Sequence, residues 1–206
     1  MVSTVVKEHC PCPDCGSSDA LCYYSDGHTY CFSCQTYHSG EREMPKIMTT
    51  VIPESDMYFD VLRARGIRKE TCVKYGYYKA QEAQVACYYN DDGTLIGQKL
   101  RYKDKRFETR GKKFTTRFFG QHLWPNGHRK MLIVTEGEID CLTVSQINGN
   151  KYPVVSIPAG VQSAKKVFKA QADWLNSFDK VVVFFDMDEA GRKGVKEIEG
   201  ILKPRK

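Results

Sequence analysis

Long apolar runs are missing from this 206-residue chain, and so is the apolar core of a signal peptide at its N-terminus. A membrane-spanning helix needs about 20 consecutive apolar residues, so no such span is expected and no membrane partner with it. No Gly-x-x-x-x-Gly-Lys-Ser/Thr loop occurs, which excludes a phosphate-loop motor within these residues. There is no internal repeat and no low-complexity tract, so neither a solenoid nor a disordered tail is expected. Acidic residues are the minority charge, 25 against 31 Lys and Arg, which leaves a formal net charge of +6. Hydrophobic residues make up 41%, enough for a core, and the length fits a small module plus one ordinary domain of a soluble protein.

Cysteine is plentiful, at nine residues, but the number is odd. Cys72, Cys87 and Cys141 are scattered through apolar segments, as free thiols of a reducing compartment would be. Four others are patterned. Cys12-Pro-Asp-Cys15 and Cys31-Phe-Ser-Cys34 are two CxxC knuckles fifteen residues apart. Four thiolates so spaced surround one Zn²⁺ as a tetrahedron, two from each turn. Cys10 and Cys22 are the alternate ligands. Cys10 is crowded against Cys12, and Cys22 falls in a predicted strand. The segment Gly16–Tyr30 reads as a hairpin, with strands Ala20–Tyr24 and Thr29–Phe32 joined by the turn Ser25-Asp26-Gly27-His28. It is too short to bury a core of its own, so the metal must supply its stability.

Residues 41–55 have weak periodicity and mixed charge and read as a linker. Apolar spacing then predicts a helix over Asp56–Arg65, stopped by Gly66, and another over Arg68–Tyr75, stopped by Gly76. Strands are predicted at Tyr77–Lys79, Gln84–Tyr89 and Thr94–Tyr102, with Asn90-Asp91-Asp92-Gly93 as a hairpin turn. Nine basic residues crowd the stretch from Lys99 to Arg117: Lys99, Arg101, Lys103, Lys105, Arg106, Arg110, Lys112, Lys113 and Arg117. Only Asp104 and Glu108 oppose them. A strand here puts Lys99, Arg101 and Lys103 on one face, a patch suited to phosphates.

After Trp124-Pro125-Asn126-Gly127 the pattern becomes strand–helix alternation. Strands are predicted at Met131–Thr135, Pro153–Ile157 and Val181–Phe185, and helices at Gly137–Ile147, Ser163–Phe178 and Asp188–Leu202. This is the signature of a parallel sheet covered by helices. Two acidic clusters fall just past strand ends, where parallel sheets build their sites. One is Glu136-Gly137-Glu138-Ile139-Asp140, and the other is Asp186-Met187-Asp188. On one sheet edge, Glu136, Asp186 and Asp188 converge. Crowded carboxylates repel unless a divalent cation sits among them, and hard oxygen ligands suit Mg²⁺ or Mn²⁺ and phosphoryl transfer.

Glu-Gly-x-x-Asp after one strand and Asp-x-Asp after a later one resemble the TOPRIM domain of topoisomerases, bacterial-type primases and some nucleases. With the zinc ribbon, the whole chain resembles the primase half of the phage primase–helicase fusion proteins. The matching segments run in order: CGSSD and SDGHT, ARGI-KETC at Ala64–Cys72, QK-R-KDK at Gln98–Lys105, HLW at His122–Trp124, VTEGEID at Val134–Asp140, PVVS at Pro153–Ser156 and FDMDEAGRK at Phe185–Lys193.

The resemblance implies an α/β protein in four parts. These are a zinc ribbon over 1–40, the tether 41–55, a basic subdomain of an RNA polymerase domain over 56–128, and a TOPRIM domain over 129–206. The family continues into a further strand and acidic motif, so this TOPRIM domain is expected to lack its last strand. The implied activity is synthesis of short RNA primers on single-stranded DNA from NTPs. Asp26 and His28 would contact the template. Lys99, Arg101, Lys103 and Lys105 would hold template, primer or NTP phosphates. Glu136 would sit at the catalytic metal or assist deprotonation of the attacking 3′-hydroxyl. Asp186 and Asp188 would bind that metal, Glu138 and Asp140 would support the site, and Arg192 would contact phosphate. The implied partners are a replicative helicase and a DNA polymerase, for a monomer in the cytoplasm of an infected bacterial host that carries no helicase domain itself. The competing reading is a non-catalytic DNA-binding or recombination-mediator module, since some TOPRIM proteins with a four-Cys zinc site bind DNA without chemistry.

Overall fold

The computed structural model describes residues 3–39, 50–112, 114–125 and 131–202. Residues 41–49 of the expected linker, Lys113 of the basic run, residues 126–130 at the expected domain boundary and residues 203–206 lie outside the described residues. The chain divides into two compact units, Met1–Ile47 and Met48–Lys206.

The first unit is an antiparallel meander of β1 (Val5–Cys10), β2 (Leu21–Tyr24), β3 (Thr29–Cys31) and β4 (Tyr37–His38), in that spatial order. The predicted hairpin is its centre, with Leu21 opposite Cys31 and Tyr23 opposite Thr29. Gly27 makes the turn at φ 86°, where a side chain would be strained, and its N–H donates to Tyr24 O. The outer strands β1 and β4 carry too few alternating apolar residues to be read from sequence, because β1 is mostly exposed and β4 has two residues.

The second unit joins two sheets. The first is an antiparallel sheet of β5 (Tyr77–Ala80), β6 (Ala83–Tyr89), β7 (Leu95–Tyr102) and β8 (Phe107–Gly111). The second is a parallel sheet of β9 (Met131–Thr135), β10 (Val154–Ser156) and β11 (Lys180–Phe184), ordered β10-β9-β11. Helices α1 (Lys69–Tyr75), α2 (Glu138–Ile147), α3 (Ala164–Ala170), α4 (Ala172–Asn176) and α5 (Glu189–Ile198) complete the unit. A buried core that includes Leu132, Val134, Phe168 and Phe178 unites the parallel sheet with α3, α4 and α5. A second core brings Tyr75, Tyr88, Phe119, Cys141 and Leu142 together and ties α1 and α2 to the antiparallel sheet. Cys72, Cys87 and Cys141 are buried free thiols.

Two helix predictions are corrected. Asp56–Arg65 is not a helix. Its Tyr58 pairs with Lys79 on the edge of β5, each amide donating to the other's carbonyl, and only short 3-10 turns form at Glu54–Asp56 and Arg63–Arg65. Met57 and Leu62 fill two different cores, so their spacing served tertiary packing rather than one helical face. The long helix Ser163–Phe178 is broken at Gln171. Its side chain donates to Thr116 O and accepts from Gln121 Nε2, and α3 and α4 meet at this break. Just beyond the described gap, Ile52 at the end of the expected linker is bound to Gln98 of β7 through both its backbone groups.

Candidate active site and candidate metal centre

The four knuckle cysteines form one gathered set. Their sulfurs all lie within 4.8 Å of one another, and among the described residues no other group of His, Cys, Asp or Glu is gathered in this way. Cys12 Sγ is 3.9 Å from Cys34 Sγ, and Cys15 Sγ is 3.8 Å from Cys31 Sγ. Four sulfurs about 2.3 Å from a tetrahedral centre would stand about 3.8 Å apart, so the set fits a zinc-sized ion. Backbone closure creates the geometry: Gly16 N–H donates to Cys12 O, and Cys31 N–H donates to Thr36 O. The hydroxyl and amide of Thr36 hold the Cys34 thiol down at about 6, while loss of water pushes Cys12 up to about 11. Binding as thiolates would release protons from this set, so zinc affinity is expected to fall in acid. Cys10 and Cys22 are buried nearby and outside the set.

Asp26 and His28 are brought together on the β2–β3 turn. Asp26 Oδ1 is 2.5 Å from His28 Nδ1 and also accepts the His28 amide. The imidazole stacks on Tyr24, with centroids 4.0 Å apart, and tilts against Tyr37. Asp26 thus fixes the Nδ1 side of the ring.

In the second unit the antiparallel sheet offers one face to a cavity of about 630 Å³. Strand register sets two rungs across that face. One is Tyr77–Ala86–Lys99–Thr109, and the other is Lys79–Gln84–Arg101–Phe107. The small Ala86 leaves the hollow. The opposing wall is the C-terminal edge of the parallel sheet, bearing Glu136, Asp140 and Asp186. Glu136 follows β9, and its Oε2 lies 3.4 Å from the amide N of Asp186. The two acidic motifs therefore meet on one edge, as adjacent parallel strands require. Burial, with Asp186, Asp188 and Asp140 close by, pushes the Glu136 carboxyl above its ordinary range. Asp140 is raised too, first by burial and then by Asp186.

Asp188 takes a different post. It is the N-cap of α5, with Oδ1 accepting Gly191 N–H at 2.7 Å. Arg192, on the same helix, donates to Met187 O. Gly191 itself is required by close approach, since a Cβ there would fall 2.0 Å from Asp186 O. Gly191→Ala is expected to destabilise the unit by about 1–3 kcal/mol, because backbone and not a side-chain tip must move. Urea denaturation checks this, and an unchanged midpoint would contradict the tight turn.

Glu138 and Lys99 form a buried pair, Nζ to Oε1 2.9 Å, with both side chains at most 15% exposed. Tyr88 OH donates to the same carboxylate at 2.7 Å, and Lys99 Nζ also donates to Pro158 O. The ammonium thereby spans three elements: β7, the start of α2 and the loop after β10. Arg106, Arg110 and Arg117 are also paired, with Asp104, Glu108 and Asp91. Among the described residues Arg101, Lys103 and Lys105 make no ion pair. Lys103 and Lys105 do not line the carboxylate cavity but a neighbouring one of about 460 Å³, together with Arg63 and Lys79. Arg65 and Arg101 line both. Sequence reasoning gave no role to Arg65, Tyr88 or the Pro158 carbonyl, and counted Phe107 only among the aromatics (Tyr102, Phe107, Phe114, Phe118 and Phe119) interleaved in the basic run, a pattern that suggests nucleic-acid or nucleotide contact. Arg65 lay inside the ARGI segment, whereas Tyr88 and the Pro158 carbonyl had no local signal.

An acidic parallel-sheet edge facing a basic antiparallel sheet, with a four-cysteine β-module, defines a TOPRIM-type α/β protein. Family models agree. Residues 133–206 match the family described as Toprim-like, and residues 58–111 match the N-terminal a+b fold of the bacteriophage T7 DNA helicase/primase. The chain is 41% identical to a DNA helicase/primase of Enterobacteria phage T3, over 94% of this chain and 37% of that protein. It resembles the crystal structure of the primase fragment of the bacteriophage T7 primase-helicase protein at 39% identity and TM-score 0.72, covering 97% of this chain and 87% of the fragment. A structure of the bacteriophage T7 lagging-strand DNA polymerase, interacting with primase domains bound to an RNA/DNA hybrid and dTTP, matches at 44% identity and TM-score 0.68. That match covers 72% of this chain and 76% of its counterpart. The chain belongs to the phage DNA helicase/primase family and corresponds to its primase part. It spans just over a third of the curated relative's length. No described helix is long and apolar enough to cross a membrane.

Proposed function

We propose that the chain is a DNA primase, a nucleotidyltransferase that makes short RNA primers on single-stranded DNA from ribonucleoside triphosphates. The observation that carries this is the shared cavity, where Glu136, Asp140 and Asp186 face Lys99, Arg101 and Arg65. Its similarity to a solved phage primase fragment over nearly its whole length supports the same reading.

Each group has a part in it. Glu136 and Asp186, with Asp188 beside them, would hold Mg²⁺ or Mn²⁺, which supplies charge neutralisation at the transferring phosphate. Glu136 also stands where it could accept a proton from an attacking hydroxyl. Arg101 and Arg65 attract the triphosphate, and Lys103 and Lys105 extend the positive field along the nucleic acid. Lys99 fixes the Pro158 loop and the start of α2 against the sheet by donating to Pro158 O and to Glu138, and Asp140 sustains the acidic edge. Arg192 steadies the turn at Met187. In the first unit Cys12, Cys15, Cys31 and Cys34 would bind Zn²⁺, and Asp26 and His28 would meet template bases. Helicase and DNA polymerase partners, and the cytoplasm of an infected bacterium, follow from the same reading.

The test is metal-dependent incorporation of labelled ribonucleotides on single-stranded DNA, resolved on a gel. Short RNA products are expected. DNA binding without incorporation would overturn the reading in favour of a binding module, and degraded template would assign a nuclease.

A further inference from the structure

Among the described residues, Phe107 has no packing duty that explains it. It stands on β8 with 54% of its surface exposed, outside every buried core cluster, yet it lines the carboxylate cavity. Register places it directly across from Arg101. The Arg101 guanidinium carbon is 5.9 Å and the Lys99 ammonium 5.2 Å from its ring centroid. Isolated exposed aromatics are common on protein surfaces. This one sits where a charged cavity meets solvent, with two cations flanking its ring.

We propose that Phe107 is a stacking platform for the base of a ribonucleotide held in this cavity. The proposal deepens the primase reading and rests on it for the identity of the ligand. A nucleotide has two chemistries to satisfy. Its phosphates require the cationic side and any cation held by Glu136 and Asp186, and its base requires an apolar face. The cavity lining provides the charges, and Phe107 brings an aromatic ring more than half exposed to solvent. Stacking is indifferent to base identity, because every base has a π-face. The platform would therefore admit all four ribonucleotides and leave selection to template pairing.

The experiment titrates 2-aminopurine ribonucleoside triphosphate into the whole chain with Mg²⁺, following quenching of the probe. A fluorescein-labelled single-stranded DNA is titrated in parallel. Phe107→Ala and Phe107→Leu are expected to weaken triphosphate binding about tenfold and to lose most of the quench, while Phe107→Trp stays within about twofold. Thermal midpoints should not move, since the ring is exposed. Leucine binding as well as phenylalanine would overturn the proposal, because bulk rather than a π-face would suffice. A loss confined to the labelled DNA would overturn it too, by assigning the ring to the template. Ring-dependent triphosphate binding in a chain that makes no primers would leave the platform standing and remove the primase reading. Primer synthesis with an unchanged KM in Phe107→Leu would remove the platform alone.

Discussion

Glu136→Gln is expected to reduce primer synthesis on the order of 10²- to 10⁴-fold, whether the carboxylate holds the cation or takes a proton. The same substitution should not weaken the fold. Burial and the neighbouring Asp186, Asp188 and Asp140 raise the Glu136 carboxyl above its ordinary range. The folded chain therefore holds that proton more tightly than the unfolded chain does. For such a group the folded state loses stability as pH rises through the folded-state pKa, so at neutral pH the ionised carboxylate is a cost. Glutamine removes the cost. In metal-free buffer at neutral pH the thermal midpoint of Glu136→Gln should be at or above that of the wild type, and the difference should vanish in acid, where Glu136 is protonated anyway. Asp140→Asn should follow the same pattern, for the same reasons. Lost activity with retained or increased stability marks a group kept for its chemistry. Near-normal synthesis by Glu136→Gln would remove Glu136 from the site, and a lowered midpoint at neutral pH would show that the acids are structural.

What the sequence revealed and what it hid divide along physical lines. Strand–helix alternation and the acids after each strand were legible because the parallel sheet uses contiguous segments: Met131–Thr135 and Glu136 belong to one turn of chain. The ribbon was legible because CxxC spacing is itself the geometry of the knuckle. Contacts between distant segments were hidden. Nothing local announces that Lys99 reaches Glu138 and Pro158, so a basic run that looked uniformly available divides into paired and unpaired cations. The strand β8 escaped notice because its Phe107, Thr109 and Gly111 alternate with charged Glu108 and Arg110, a weak apolar signal. The segment Asp56–Arg65 misled because Met57 and Leu62 are apolar for the sake of separate cores. Asp188, which the motif suggests as a metal ligand, is the N-cap of α5, a post that one-dimensional patterns could suggest but not place.

Removing the metal should cost the first unit its fold while leaving the second intact. Among the described residues of that unit, five form the buried core, and three of them, Cys10, Cys12 and Cys31, are cysteines. Only Leu21 and Tyr23 contribute larger apolar side chains. Four short strands cannot be ordered by so little apolar surface. Structural zinc contributes an apparent 10–16 kcal/mol in comparable small modules, roughly the whole stability of an ordinary domain. Chelation is therefore expected to expose the backbone amides of β2 and β3 to rapid hydrogen exchange, with β9 and α2 keeping their protection. Individual cysteines sharpen the test. Cys31→Ser should lose nearly all bound zinc, measured by metal analysis of the purified chain, because one of four ligands is gone and its partner sulfur, Cys15, 3.8 Å away, is left unopposed. Cys10→Ser and Cys22→Ser should keep about one zinc per chain, since both lie outside the gathered set. Full zinc content in Cys31→Ser, or its loss in Cys10→Ser, would mean that a different quartet binds the ion. A first unit that stayed protected after chelation would mean that β1 to β4 hold together without it.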